Sequence, residues 1–191
     1  MSTVKSKKLQ VGTDASASNN FTIYQPSTPD GTLRIGQGTA DSPTEVGQFN
    51  ANGYKASSPH MVQAKLSASQ TISSATWTAI QLNQTTIDTD SDFNTSTYRF
   101  QPTVAGYYWV SGHLMRTAGS GALAVGLFKN GTKVTQGDYA PTDMYGGNCT
   151  QIIEMNGSTD YVQLYMYAVT SLICQGGADN TFFNAYLIQQ T

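Results

Sequence analysis

In the second half of the chain, hydrophobic side chains recur with a period of two, which divides the residues of several segments between two faces. Residues 107–115 place Tyr108, Val110 and Leu114 on one face, and residues 161–169 repeat the pattern. Successive side chains of a β-strand point to opposite faces, so this alternation predicts strands. No stretch holds a 3.6-residue period over eleven residues, which excludes a long amphipathic helix. The pattern predicts an all-β protein.

Several more segments after residue 60 carry strand signals, and glycine-containing turns separate them. The predicted strands are residues 62–67, 77–82, 98–101, 106–115, 122–129, 133–139, 150–155, 161–169 and 181–189. The predicted turns are Asn130-Gly131, which is the strongest hairpin signal, Gly146-Gly147, Asn156-Gly157 and Gly176-Gly177. Short strands at regular spacing indicate a sandwich or a barrel.

The first 55 residues have a different character from the rest. Glycines separate four short apolar segments with strand-like alternation, namely Leu9/Val11, Phe21/Ile23, Leu33/Ile35 and Val46/Phe49. So few large apolar side chains do not make an independent core. We therefore predict an arm at residues 1–55 that orders on its own copies or on another protein. A linker at residues 56–60 and a head at residues 61–191 follow.

Composition narrows the function classes. Charged residues make up 12% of the chain and the net charge is −2, against a usual charged fraction of ~25%. Without a basic stripe, a nucleic-acid partner is not expected. Without a run of 18 apolar residues, a membrane span is not expected. The N-terminus has no apolar stretch after its lysines, so we expect no ordinary signal peptide.

Five segments of the head resemble C1q/TNF-like domains in order and spacing. They are residues 64–68, 100–110 (with its Phe, Pro, Gly and Tyr), 127–131, 160–164 and 183–188. Thr159 and Ala185 stand where the family usually has glycine. The resemblance implies a ten-strand jelly roll that assembles as a homotrimer around a three-fold axis.

Large side chains occupy both faces of the two alternating strands, which is more than one sandwich core needs. Aromatic residues on a second face favour a subunit interface, where Tyr and Trp are enriched. By analogy with C1q-like trimers, Tyr107, Trp109 and Phe183 are predicted to meet the three-fold axis. The alternative is that these aromatics complete one large monomeric core.

The N-terminal arm has a second resemblance, to the glycine-punctuated arms of bacteriophage virion proteins. Residues 12–23, 30–38 and 49–53 carry it. Together with the head, it implies a trimeric capsid decoration (cement or head-fibre) protein. Such a protein is made in the host cytoplasm and lies on the capsid surface of the virion.

The partner implied for the arm is the major capsid protein. Leu9 and Val11 offer a strand that can add to an exposed sheet edge, and the nearby lysines can meet an acidic surface. The predicted docking residues are Lys5, Lys7, Lys8, Leu9, Val11, Phe21 and Ile23. An ordinary solvated tail is the alternative for the lysines.

A tail location is the rival hypothesis. A short tail fibre or receptor-binding tip would dock on a tail protein and recognise a host surface glycan through residues 135–147. Tyr139 and Tyr145 are the predicted ligand residues there, since tyrosine rings stack on sugar faces. A secreted C1q-like adhesin or a lytic enzyme is a third class, which no sequence feature indicates.

No catalytic residues and no cofactor are expected. Gly119-Ser120-Gly121 lacks the strand–turn–helix frame of a nucleophile elbow. Glu154 could form a glycosidase pair with Asp160 or Asp138 only at a separation of about 5–9 Å, and the sequence gives no support for that geometry. The protein is therefore predicted not to be an enzyme.

No metal site is expected either. Asp88, Asp90 and Asp92 could chelate Ca²⁺, as in some C1q-like trimers, but the glycine and closing glutamate of an EF-hand are missing. A solvated acidic loop is the favoured interpretation. His60, assigned to the linker, and His113, a candidate polar interface residue, have no metal-type partner nearby in sequence.

Two cysteines, Cys149 and Cys174, are too few for a disulfide scaffold. We predict that they are buried thiols, and their pairing stays open.

Overall fold

A computed structural model of the chain describes residues 8–12, 15–16, 19–38, 43–56, 59–117, 121–142, 144–177 and 179–191. The chain divides into two compact units, an N-terminal unit of residues 1–59 and a head of residues 60–191. Within the described ranges the regular elements are all strands. No helix there is long and apolar enough to cross a membrane.

The described residues of the N-terminal unit form a five-stranded antiparallel sheet in which each strand pairs with the next along the chain. Its strands are β1 (Lys8–Val11), β2 (Phe21–Tyr24), β3 (Leu33–Gly38), β4 (Pro43–Asn50) and β5 (Gly53–Ala56). The four predicted apolar segments all lie in strands. A bulge in β4, opposite Ile35 and Gly36, leaves Val46 without a partner in the register.

The head is a sandwich of two five-stranded sheets, as the predicted jelly roll requires. The first sheet holds β15 (Gly146–Asn156), β12 (Ala105–Met115), β18 (Phe182–Gln190), β6 (Met61–Lys65) and β9 (Gln84–Asp88), in that spatial order. The second holds β10 (Phe93–Asn94), β11 (Arg99–Phe100), β16 (Val162–Ala168), β13 (Leu123–Lys129) and β14 (Thr132–Ala140). A two-stranded sheet joins β17 (Leu172–Cys174) to β7 (Gln70–Ile72), and β8 (Thr76–Ala79) lies outside the three sheets.

The core lies between the two large sheets and is built from the alternation seen in the sequence. Tyr108, Val110 and Leu114 of β12 face inward and are almost completely buried. Val162 and Leu164 of β16 meet them from the opposite sheet. The inward faces predicted for these two strands are therefore confirmed.

The outward face of β16 is covered by residues of the same head. Tyr165 stacks on Phe128, with ring centroids 4.0 Å apart, and Tyr167 lies 5.6 Å from the indole of Trp77. A side chain at Gly126 would meet that indole, since an added Cβ would lie 2.8 Å from the ring. The tyrosines of β16 therefore need no second subunit to cover them.

Three turn predictions have clear outcomes. Asn130 and Gly131 join β13 to β14 with φ values of 52° and 79°, the positive pair that a type I′ turn requires. Gly157 also takes a positive φ, in the turn after β15. The turn predicted at Gly146-Gly147 is wrong, because both glycines lie inside β15, paired with Met115 and Leu114.

Candidate binding surfaces

The first head sheet leaves a large apolar patch on its outward side. We call this patch the outer face, and it consists of Tyr107, Trp109, Ile152, Tyr186 and Ile188, which are 39–58% exposed. Trp109 lies at the centre, opposite Ile152 of β15 on one side and opposite Tyr186 of β18 on the other. An apolar patch of this kind on one sheet is typical of an interaction surface.

Next to the apolar residues, the same side of the sheet carries a polar row. Gln63 donates a hydrogen bond to Asn184 (3.0 Å), and Asn184 donates a longer one to Ser111 (3.4 Å). His113 stacks on Phe182 and lies with Nδ1 3.0 Å from the carbonyl oxygen of Asn180. An apolar centre beside satisfied polar groups is the composition expected of a protein interface.

The structure separates the three residues predicted to meet the trimer axis. Tyr107 and Trp109 lie on the outer face, and their contact at a trimer axis stays a prediction. Phe183 points the opposite way, is completely buried and packs against Phe93 and Phe100 inside the sandwich. Its assignment to the axis is wrong, because the alternation of β18 places Phe182, and not Phe183, on the outward side.

The N-terminal sheet also has one apolar side, which we call the N-terminal apolar face. It consists of Leu9, Val11, Phe21, Ile23, Leu33, Ile35 and Phe49, which the strand register places side by side. Five of the seven are 43–59% exposed. A groove of about 630 Å³ runs over part of this face, between Leu9, Ile23, Leu33 and Phe49. The predicted docking residues Leu9, Val11, Phe21 and Ile23 are therefore neighbours on one surface.

An arginine and two carboxylates of this unit form a cluster of ion pairs. Arg34, on the opposite side of β3, forms ion pairs with Asp30 and Glu45. The hydroxyl of Thr32 and the guanidinium of Arg34 lower the pKa of Asp30 to about 2. Lys8 is exposed next to Leu9 in β1 and is among the residues that line the groove. The predicted docking lysines Lys5 and Lys7 lie outside the described residues.

The predicted ligand tyrosines are both exposed. Tyr139 lies near the end of β14 and is 58% exposed, and Tyr145 immediately precedes β15 and is 57% exposed. The guanidinium of Arg116 lies 5.8 Å from the Tyr145 ring. Arg116 is itself buried and donates hydrogen bonds to the carbonyl oxygens of Gly121 and Thr142. Through these bonds a buried arginine links the segment before β13 to the segment after β14.

The carboxylates considered for catalysis have structural contacts. Asp160 pairs with Lys129 (2.8 Å) and accepts a hydrogen bond from Asn130 (2.7 Å). These two contacts lower the pKa of Asp160, so it stays ionised and is a poor general acid. Asp138 accepts a hydrogen bond from the backbone of Asn148.

The structure does bring His60 to metal-type partners, so that part of the prediction is wrong. His60 Nδ1 lies 2.7 Å from Asp90 Oδ2, and Asp92 lies beside them. The residues come together because His60 precedes β6, while the two aspartates follow β9, the strand paired with β6. His60 and Asp90 are 30 residues apart in the sequence, so a search for closely spaced metal ligands does not find the pair. His60 also belongs to the head and not to a linker, since its carbonyl accepts a hydrogen bond from Leu187.

Both cysteines are buried free thiols, as predicted. Burial raises the pKa of Cys149 to about 12 and that of Cys174 to about 11. Neither thiol is therefore suited to nucleophilic chemistry near neutral pH.

No family model and no curated protein matches the chain. Solved structures do match it over the head. The globular domain of zebrafish complement 1qA is 14% identical and aligns with a TM-score of 0.52, covering 70% of this chain and 99% of that one. The head has a C1q/TNF-like jelly-roll fold.

Two further matches come from the TNF side of this fold group. Eiger TNF from S. frugiperda is 6% identical, with a TM-score of 0.53 and coverage of 70% of this chain and 95% of that one. Murine APRIL at pH 5.0 is 9% identical, with a TM-score of 0.52 and coverage of 68% and 99%. At these identities the likeness concerns the fold alone.

Proposed function

We propose that this chain is a trimeric structural protein of a bacteriophage virion that decorates the capsid. In this proposal the C1q-like head forms the homotrimer, and the N-terminal unit attaches it to the major capsid protein. The protein acts by binding and not by catalysis. The observation that carries the proposal is the N-terminal apolar face, because a sheet with one apolar side buries that side against another element, and an exposed apolar patch marks an interaction site.

The outer face supports the trimeric half of the proposal. It places Trp109 at the centre of an apolar patch, and the resemblance of the head to C1q/TNF-like domains implies a trimer. Three linked N-terminal units would then dock together, and each bound unit raises the effective concentration of the others. A protein that binds only the assembled shell stabilises that shell by mass action.

A docking assay tests the attachment. Purified full-length protein is added to virions that lack it, and the bound copies are counted after sedimentation. Leu9→Asp places a charge on the N-terminal apolar face and should reduce binding at least tenfold, because burying an unpaired charge is costly. Gln10→Asp is the matched control, since Gln10 is the next residue of β1 and points to the opposite side. Equal binding of both variants contradicts docking through this face.

The shell itself gives a second readout. Particles that carry the protein should release their genome at a higher temperature than particles that lack it. An unchanged release temperature would contradict the stabilising role, whereas attachment of the protein to the shell would still stand.

The exposed tyrosines favour a second candidate function, recognition of a host surface glycan by a tail fibre or receptor-binding tip. Tyr139 and Tyr145 are more than half exposed on the head. In that case soluble trimer should block adsorption of the phage, and Tyr145→Ala should weaken the block. A decoration protein would leave adsorption unchanged.

A further inference from the structure

A cluster of one imidazole and two carboxylates lies at the edge of the first head sheet. His60, Asp90 and Asp92 each offer one ligand atom, and these atoms all lie within 4.8 Å of one another. His60 and Asp90 are largely shielded from solvent, with side chains 15% and 22% exposed. The cluster lies within the head, so it does not depend on how the chain is attached.

The carboxylate of Asp92 is the feature that an ordinary surface loop does not explain. Asp92 is only 6% exposed. Its Oδ1 accepts hydrogen bonds from the backbone N–H and the hydroxyl of Thr103, at 3.1 and 3.2 Å. Among the described residues no donor reaches its Oδ2. This oxygen is not one of the described buried atoms that lack a partner, so it is open to an ion from solution.

The surrounding charge is also negative. Asp88 lies close by and is fixed by the backbone N–H groups of Asp92 and Phe93. Among the described lysines and arginines, none forms an ion pair with these three aspartates.

The other ligands are held in place by hydrogen bonds outside the cluster. The hydroxyl of Thr89 donates to Asp90 Oδ2 at 2.8 Å and accepts a hydrogen bond from the backbone N–H of Met61 at 3.0 Å. This contact ties Asp90 to β6, the strand that follows His60. Such supporting hydrogen bonds are the usual surroundings of metal ligands.

We propose that His60, Asp90 and Asp92 bind a divalent transition-metal ion of the zinc class. An imidazole with two carboxylates suits Zn²⁺ or Mn²⁺, whereas Ca²⁺ and Mg²⁺ prefer oxygen ligands alone. Zn–ligand bonds of ~2.0–2.1 Å place tetrahedral ligand atoms about 3.3 Å apart. His60 and Asp90 would separate slightly from 2.7 Å, and His60 Nδ1 would give up its proton to become a ligand. The ion would link His60, the first residue of the head, to Asp90 and Asp92 in the loop after β9.

Metal titration of the full-length protein tests the proposal. The protein is stripped with a chelator, loaded with Zn²⁺ or Mn²⁺, dialysed and analysed for metal content, and its thermal unfolding is followed with and without the ion. We expect one ion per chain and a rise in the unfolding temperature of the head, because the ion binds the folded state alone.

Three variants make the test specific to the site. Asp92→Asn and His60→Gln should each lower the metal affinity at least tenfold, and each keeps the size of the side chain. Asp138→Asn is the matched control, since Asp138 is an exposed head carboxylate that accepts a backbone hydrogen bond, and it should bind the ion as the parent does. If Asp92→Asn fails to fold, His60→Gln carries the comparison, because His60 lies at the start of the head.

Three outcomes overturn the proposal. One is a parent protein that retains neither ion. Another is equal binding by the parent and both site variants, which would mark the metal as adventitious. A third is stabilisation by Ca²⁺ but not by Zn²⁺ or Mn²⁺, which would show that the imidazole is not a ligand.

Discussion

Replacing Trp109 by alanine removes the largest side chain of the outer face. Trp109 is 42% exposed in the isolated head, and an aromatic side chain has up to about 250 Å² of surface, so about 100 Å² remains for a partner to cover. At roughly 25 cal/mol per Å², covering it contributes about 2.5 kcal/mol per subunit. The smaller alanine side chain would still bury a small part of this area. The net loss of association free energy is therefore about 2 kcal/mol per subunit and about 6 kcal/mol per trimer.

Since each 1.4 kcal/mol is a factor of ten, the overall trimer dissociation constant should rise about 10⁴-fold. Sedimentation equilibrium or mass photometry over a dilution series measures it directly. The fold of each subunit should be unaffected, because Trp109 points away from the core, and far-UV circular dichroism checks this. Trp109→Glu should prevent assembly even at high concentration.

Val134→Ala is the control for this experiment. Val134 is 41% exposed, much like Trp109, but it lies on β14 in the other sheet. Its replacement should leave the trimer unchanged. An equal effect of the Trp109 and Val134 variants, or a parent protein that is monomeric at high concentration, would refute the reasoning about the outer face.

Three further predictions concern the fold and its titrating groups. Gly112→Ala should destabilise the head by about 1–3 kcal/mol in chemical denaturation, because the new methyl group would clash with the buried side chain of Leu164. An NMR titration should give Asp30 a pKa of about 2, below the ordinary aspartate value of 3.8. The stabilising effect of this carboxylate is then full above pH 3.8 and is lost as the pH falls through 2. A measured pKa near 3.8 would exclude the hydrogen bonds from its threonine and arginine neighbours. Cys149 and Cys174 should resist a thiol reagent at pH 8 in the native protein and react fully in denaturant, so rapid native labelling would contradict their burial.

Periodic patterns in the sequence predicted the long strands well. Buried side chains alternate along β12 and β16 as the sequence predicts, because each strand has one face on the core. The strands that were missed are short or exposed. β10 and β17 span only two and three residues, and β9 is almost wholly exposed, so none of them shows a period.

Long-range contacts explain the remaining differences. Gly146 and Gly147 lie in a strand because β12 pairs with them, and local turn propensity does not report such pairing. The sequence predicts a partner subunit for the second aromatic face of β16, yet Trp77 covers it from a distant position in the chain. His60 and Asp90 meet only through the pairing of β6 with β9.

Cryo-electron microscopy of the intact virion tests the central claim most directly. Capsid decoration predicts trimeric density for residues 60–191 at three-fold positions of the shell, with the N-terminal apolar face covered by capsid subunits. Density confined to the tail would contradict capsid decoration and would favour receptor binding through Tyr139 and Tyr145. Particles without any such density would contradict the virion assignment itself.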